Sequence, residues 1–200
     1  MSLQPIARLS FDEWLAAERE RLEGRTEFVS GEVFAMAGGS REHNLIATNI
    51  VGELRSQFKG RPCFVYAGDL KVKIDAAGAG TYPDVIALCG EHRYLDGRRD
   101  VVTNPALIIE ILSDSTEAYD RGDKFALYRG LQSLEAYLLI AQNRVRAELY
   151  ARQPDGGWLL HVFEELAATV PLAVLDASLA LTEVYDKVEW AASGAATGSV

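Results

Sequence analysis

Apolar residues recur along this chain at two periods, and the change from one to the other marks out its elements. Ile46, Ile50, Val51, Leu54 and Phe58 fall mostly three and four positions apart, with Arg41, Glu42, Asn49, Glu53 and Arg55 mostly elsewhere around the wheel. This spacing predicts an amphipathic helix capped by Ser40 and ending near Lys59-Gly60. A shorter helix is predicted from Ser10 to about Leu22, because Ser10 followed three residues later by Glu13 forms a capping box. Leu70-Lys71-Val72-Lys73-Ile74 alternates instead with period two, apolar on one face and basic on the other, as a half-buried strand does.

The run Ala106 to Leu112 is apolar on both faces apart from Glu110, the pattern of a central strand. Thr26 to Met36 reads as a hairpin turning at Ser30-Gly31. Further strands are predicted at Cys63–Tyr66, Tyr82–Leu88, Ala136–Ala141, Arg144–Arg152 and Trp158–Glu164, and a helix from about Arg121 to Gly130. Helix, three strands, helix and strand in that order predict an α/β (α+β) fold whose mixed sheet is flanked by helices.

Composition narrows the class. With 200 residues, 48% of them hydrophobic and 24% charged, the chain is expected to form one globular core rather than a disordered or fibrous structure. A single domain is expected over residues 1–190. Residues 191–200 lack charge and nearly all large apolar groups, so a flexible tail is expected there. No run is long and apolar enough for a membrane span, and Met1-Ser2-Leu3-Gln4-Pro5 is not a basic lead into an apolar segment. A cytoplasmic protein without membrane partners is the expectation. Cys63 and Cys89, with no second Cys or His at metal-ligand spacing, are expected as small buried hydrophobes in a reducing compartment.

The net charge of −9 argues against wrapping nucleic acid by charge alone. Residues 131–200 hold 4 Lys/Arg against 9 Asp/Glu, so any polyanion site is expected in the first two thirds of the chain.

Two acids break apolar strands. An ionised Glu110 inside a strand buried on both faces is unfavourable unless it is paired, hydrogen-bonded or bound to a cation. Asp84, after Tyr82-Pro83, is the second, on a strand expected to neighbour that of Glu110. Two readings follow from the residues. Either the acids form buried ion pairs with Lys71, Lys73 or an arginine, or they emerge on one face and share a divalent ion.

Pro83-Asp84, Glu110 and Lys124 together resemble the PD-(D/E)XK nuclease superfamily, and more closely its Uma-type branch of restriction-endonuclease-like proteins. The resemblance spans roughly residues 10–185. It is carried by Glu27-Phe28-Val29-Ser30-Gly31-Glu32, Ser40-Arg41-Glu42-His43, Tyr82-Pro83-Asp84-Val85, Pro105 through Thr116, and Asp120-Arg121-Gly122-Asp123-Lys124-Phe125 with Tyr128. It implies a restriction-endonuclease-like core, with Asp84 and Glu110 as ligands of Mg²⁺ or Mn²⁺ in phosphodiester hydrolysis. In the superfamily the lysine stands two residues after the glutamate, and here that position is Leu112. The branch implies that Lys124, from the following helix, supplies the amine; the alternative is a solvated i,i+4 pair with Asp120.

The resemblance also makes Glu27 and His43 secondary candidates, as a further ligand and as an orienting group, while Asp69 and Tyr128 are added by position. Each has a structural alternative in a turn or in packing. Arg93, Arg98 and Arg99 are the candidate phosphate contacts. The partner implied is nucleic acid, DNA in the first instance, and a homodimer is expected, with Trp158, Leu159, Leu160, Leu172, Val174 and Leu175 in excess of what one sheet needs to cover. The rival reading is a non-catalytic nuclease-fold protein used for binding or assembly, to which the acidity and Leu112 lend support. No Gly-x-Ser-x-Gly, P-loop, dinucleotide fingerprint or zinc spacing points to another enzyme class.

Overall fold

A computed structural model describes residues 9–190; the tail expected at 191–200 lies outside the described residues. Helix α1 (Phe11–Glu20) opens with the capping box between Ser10 and Glu13. Strands β1 (Thr26–Val29) and β2 (Glu32–Ala35) form the early hairpin, and Ser40 caps α2 (Arg41–Gln57). There follow β3 (Cys63–Ala67), β4 (Lys71–Ile74), β5 (Ala79–Thr81), β6 (Val85–Cys89), β7 (Val101–Val102) and β8 (Leu107–Leu112). The helix expected from Arg121 begins earlier and covers residues 117–128, with a π-turn at Asp120–Lys124 between α-helical ends. Strands β9 (Ala136–Ala141), β10 (Ala147–Arg152), β11 (Trp158–Phe163), β12 (Thr169–Leu172) and β13 (Ala177–Ala180) complete the sheets.

The mixed α+β architecture has a six-stranded sheet in the order β11-β10-β9-β8-β6-β3, antiparallel except for the parallel pair β8 and β9. A parallel pair needs a crossover, and residues 117–128 supply it, laid against one face of the sheet. Side chains alternate along β8. Leu107, Ile109 and Ile111 face α2, whose Ile46, Ile50 and Leu54 are wholly buried on them. Ile108 and Leu112 face the other way, into a second core with Tyr128, Tyr137 and Leu139, and alternation places Glu110 on their side.

A second sheet, β2-β1-β5-β4-β7, is capped by α1, where Trp14 stacks on Phe28. That approach requires glycine at position 80, since a Cβ there would run into the Trp14 and Phe11 rings. Among the described residues no helix is long and apolar enough to cross a membrane.

Two expectations are corrected. Cys63 and Cys89 are not separate buried thiols: they are direct antiparallel partners on β3 and β6, joined as a disulfide, with Cys63 buried and Cys89 exposed. Strand register, not sequence spacing, brings them together. Leu172 and Leu175 are not surplus surface, because β12 and β13 pair into a small hairpin that packs both into the core beneath α2.

Candidate active site

The β6–β8 ladder runs from Ala87 opposite Leu107 to Val85 opposite Ile109 and stops there. Pro83 follows on the β6 side, and proline has no N–H to extend it. At this frayed end Asp84 and Glu110 take over with their side chains. Glu110 Oε2 accepts the N–H of Asp84 at 3.3 Å, and Asp84 Oδ2 accepts the N–H of Ile111 at 2.8 Å. The two carboxylates are thereby neighbours at one end of the strand pair.

Glu110 is 3% exposed and its other oxygen is held from the crossover helix. Tyr128 donates its hydroxyl proton to Glu110 Oε1 at 2.7 Å, and Lys124 Nζ stands 3.0 Å from the same oxygen. Lys124 is itself buried, with Glu27 Oε1 at 3.2 Å and Asp120 Oδ1 at 3.7 Å. Glu27, on β1, also accepts the N–H of Tyr82 at 3.1 Å. One ammonium therefore serves three buried carboxylates, with a fourth, Asp84, beside Glu110.

Burial raises the Glu110 carboxyl above the ordinary range; Lys124 opposes this, and Asp84, Asp120 and Glu27 add to it. Asp120 is raised in the same way by burial. Burial by itself would lower Lys124, but Glu110, Glu27 and Asp120 hold it well above the usual lysine range, so the ammonium persists.

Asp84 is the exposed member, its side chain about one fifth accessible. His43, in the first turn of α2, has Nε2 3.1 Å from Asp84 Oδ2, while its Nδ1 is buried without a hydrogen-bond partner among the described residues. Glycine at position 39 permits this packing: a Cβ there would come within 2.7 Å of Nδ1.

Of the residues named from sequence, Asp84, Glu110, Lys124, Glu27, His43 and Tyr128 come together. Asp69 does not. Its exposed carboxylate pairs with Arg25 at 3.0 Å on the turn before β4. Arg93, Arg98 and Arg99 are exposed on the 90–104 loop, and no described contact ties them to the carboxylates. The ion-pair alternative with Lys71 or Lys73 is corrected: Lys71 is bound to Asp100 at 3.3 Å and Lys73 to Asp75 at 2.8 Å. Lys124 does form its i,i+4 pair with Asp120, but as a buried pair inside the cluster rather than a solvated one. Position 112, where the superfamily places its lysine, is a leucine packed in the second core.

Sequence reasoning passed over Glu18, buried on α1, which accepts from Thr26 N–H at 2.9 Å, Thr26 Oγ1 at 2.6 Å and Tyr82 Oη at 3.1 Å. It fastens α1 to β1 and thus fixes the strand bearing Glu27. The signal was available in the i+3 and i+4 spacing of Trp14, Leu15 and Glu18, which puts Glu18 on the buried stripe.

The sequence model of the Uma2 family, described as "Putative restriction endonuclease", matches residues 11–182. The chain belongs to that family. Two proteins of Synechocystis sp. are similar to it: slr1290, 36% identical over 78% of this chain and 80% of the relative, and sll1609, 35% identical over 76% and 85%. Among solved structures, a protein of Anabaena variabilis described as a putative nuclease of DUF820 shares the fold with a TM-score of 0.73 at 18% identity, over 88% of this chain and 97% of that one. That level of identity speaks for the fold alone.

Among the described residues no three His, Cys, Asp or Glu side chains converge as a metal cage. The donor set still fits a hard divalent cation. Three carboxylates share one ammonium and a fourth, Asp84, stands beside Glu110 and opens to solvent, while among the described residues Glu110 Oε2 has only the long hydrogen bond from the Asp84 N–H. Mg²⁺ is commonly held by one or two carboxylates, with water and substrate phosphate completing its shell.

Proposed function

We propose that this protein is a divalent-metal-dependent nuclease that hydrolyses phosphodiester bonds in nucleic acid, DNA in the first instance. The observation that carries the reading is the convergence of Asp84, Glu110 and Lys124, with Lys124 Nζ 3.0 Å from Glu110 and Glu110 3.3 Å from the Asp84 N–H. Asp84 and Glu110 are the residues that would hold Mg²⁺ or Mn²⁺. Such an ion, when bound, supplies charge neutralisation at the phosphate and lowers the pKa of a bound water.

The chain's own residues do the positioning. Lys124 and Tyr128 pin Glu110 Oε1, so that Oε2 is the oxygen left toward Asp84. His43 and the Ile111 N–H pin Asp84 Oδ2 and leave Oδ1 for a ligand. Lys124 is enclosed by three carboxylates, so its role in this reading is to hold Glu110 and Glu27 in place and to oppose the effect of burial on Glu110. No covalent nucleophile is required.

The test is a cleavage assay on single- and double-stranded DNA and RNA with Mg²⁺, Mn²⁺ or excess chelator, alongside calorimetric metal titration. Wild type is expected to bind metal and cleave only with it. Glu110→Gln is expected to lose both while keeping its thermal unfolding cooperative. Cleavage that survives Glu110→Gln or chelator would overturn the reading, and metal-independent binding of nucleic acid without cleavage would favour the non-catalytic alternative. The expected homodimer would use the apolar edge of β11, where Leu159, Leu160 and Val162 are exposed. Light scattering that returns a 21.9 kDa particle rejects it.

A further inference from the structure

A cavity of about 350 Å³ opens between the β1–β2 hairpin and the crossover helix, lined by Val29, Phe34, Tyr119, Asp123, Ala126 and Leu127. It adjoins the carboxylate cluster from both sides. In the hairpin, Phe34 stands directly opposite Glu27, so the two share a face, and Val29 follows two residues on along that face. In the helix, Tyr119 and Asp123 each immediately precede a member of the cluster, Asp120 and Lys124.

Three features of this cavity bear on what it could hold. Phe34 is 48% exposed on an edge strand, its ring presented to the opening rather than to a core. The Tyr119 hydroxyl has no hydrogen-bond partner among the described residues, although the side chain is half buried and burial pushes it up to about 12. Asp123 lies on the rim with no ion-pair partner among the described residues, although basic residues elsewhere on this helix, Arg121 and Lys124, are engaged.

We propose that this cavity receives one unpaired nucleobase of the substrate, stacked on Phe34 and Tyr119, and that Asp123 selects bases carrying an exocyclic amino group. Aromatic rings offer a stacking platform to any base, but only one that is not buried in a duplex stack, so the substrate class is single-stranded or locally unpaired nucleic acid. A carboxylate accepts from the amino group of cytosine. Thymine offers one N–H between two carbonyl oxygens that would face the carboxylate, and is disfavoured. The proposal rests on the nuclease reading for the placement of the phosphate, while the base site itself is testable without hydrolysis.

The full-length protein is titrated with deoxycytidine and with thymidine and followed by amide NMR. Shifts are expected at Val29, Phe34, Tyr119 and Ala126, with deoxycytidine binding about tenfold tighter, the size of one good base contact. Asp123→Asn is expected to bring the two nucleosides to parity. Phe34→Ala is expected to weaken binding of a fluorescent dC 12-mer, measured with Ca²⁺ present, by about tenfold, and Phe34→Trp to restore it. Both positions are exposed, and unchanged melting temperatures establish that the variants fold. Nucleosides that shift no cavity residue, or a 12-mer affinity indifferent to Phe34→Ala, would overturn the proposal. If the base binds as expected and no substrate is cleaved, the hydrolytic reading fails and the base site stands. If cleavage is metal-dependent yet unaffected by Phe34→Ala and Asp123→Asn on every substrate, the reverse holds.

Discussion

Asp84 and Glu110 each fasten the other's strand: the Glu110 carboxylate takes the N–H of Asp84 at 3.3 Å, and the Asp84 carboxylate takes the N–H of Ile111 at 2.8 Å. Two carboxyl groups are thus held side by side by backbone donors that the broken ladder leaves over. Charge and hydrogen bonding can be separated at Asp84. Asp84→Asn keeps an acceptor for Ile111 and is expected to unfold in urea within about 1 kcal/mol of wild type, while Asp84→Ala strands that N–H and loses about 1–3 kcal/mol. Both are expected to lose metal affinity in calorimetry.

Lys124 balances Glu27, Glu110 and Asp120 in a buried setting. Lys124→Met leaves uncompensated charge and is expected to destabilise by about 3–5 kcal/mol in urea unfolding. Adding Glu27→Gln to it is expected to recover part of the loss, because one of the stranded carboxylates is removed.

Tyr128→Phe deletes the 2.7 Å hydrogen bond to Glu110 Oε1 without changing the packing of the ring. An expected loss of about 1–3 kcal/mol follows from the buried acceptor left short of a donor, read as a fall in the urea midpoint.

The hydrogen bond from Arg19, aided by Lys71, holds the Asp100 carboxyl down at about 2 against the opposing effect of burial. A carboxyl depressed in the folded state contributes stability at pH above its unfolded value near 3.9, and loses it as pH falls through about 2. Asp100→Asn is therefore expected to be less stable than wild type at pH 6, by about 1 kcal/mol once solvent screening of this part-exposed pair is allowed for. The two unfolding curves are expected to converge toward pH 2.

Ser10 Oγ accepts the N–H of Glu13 at 3.2 Å, and Ser10 N–H donates to Glu13 Oε2 at 2.8 Å. Ser10→Ala is expected to lower stability by about 1 kcal/mol, seen in the melting temperature, through fraying of α1.

What the sequence determined by itself was whatever depends on near neighbours. The capping box of α1, the buried stripe Ile46, Ile50 and Leu54 of α2, and the all-apolar β8 follow from spacing within one element. The oddness of Glu110 was legible for the same reason, since six consecutive buried positions leave no solvent for a carboxylate. Short pieces carried too little pattern to be read: two-residue β7 and the hairpin of β12 and β13 exist because a partner strand completes them.

Tertiary structure decided the pairings. Cys63 meets Cys89 across 26 residues only through the register of β3 on β6, and Asp69 turns to Arg25 rather than to Glu110 because the turn before β4 lies beside Gly68, whose carbonyl also receives Arg25. Lys124 reaches Glu110 because the parallel pairing of β8 and β9 forces a crossover helix over Glu110's face, and the π-turn at Asp120–Lys124 buries both ends of that turn in the cluster. Periodicity speaks for one element at a time; which charge meets which depends on the crossing of elements, and that geometry is set by packing the two cores on opposite faces of the same sheet.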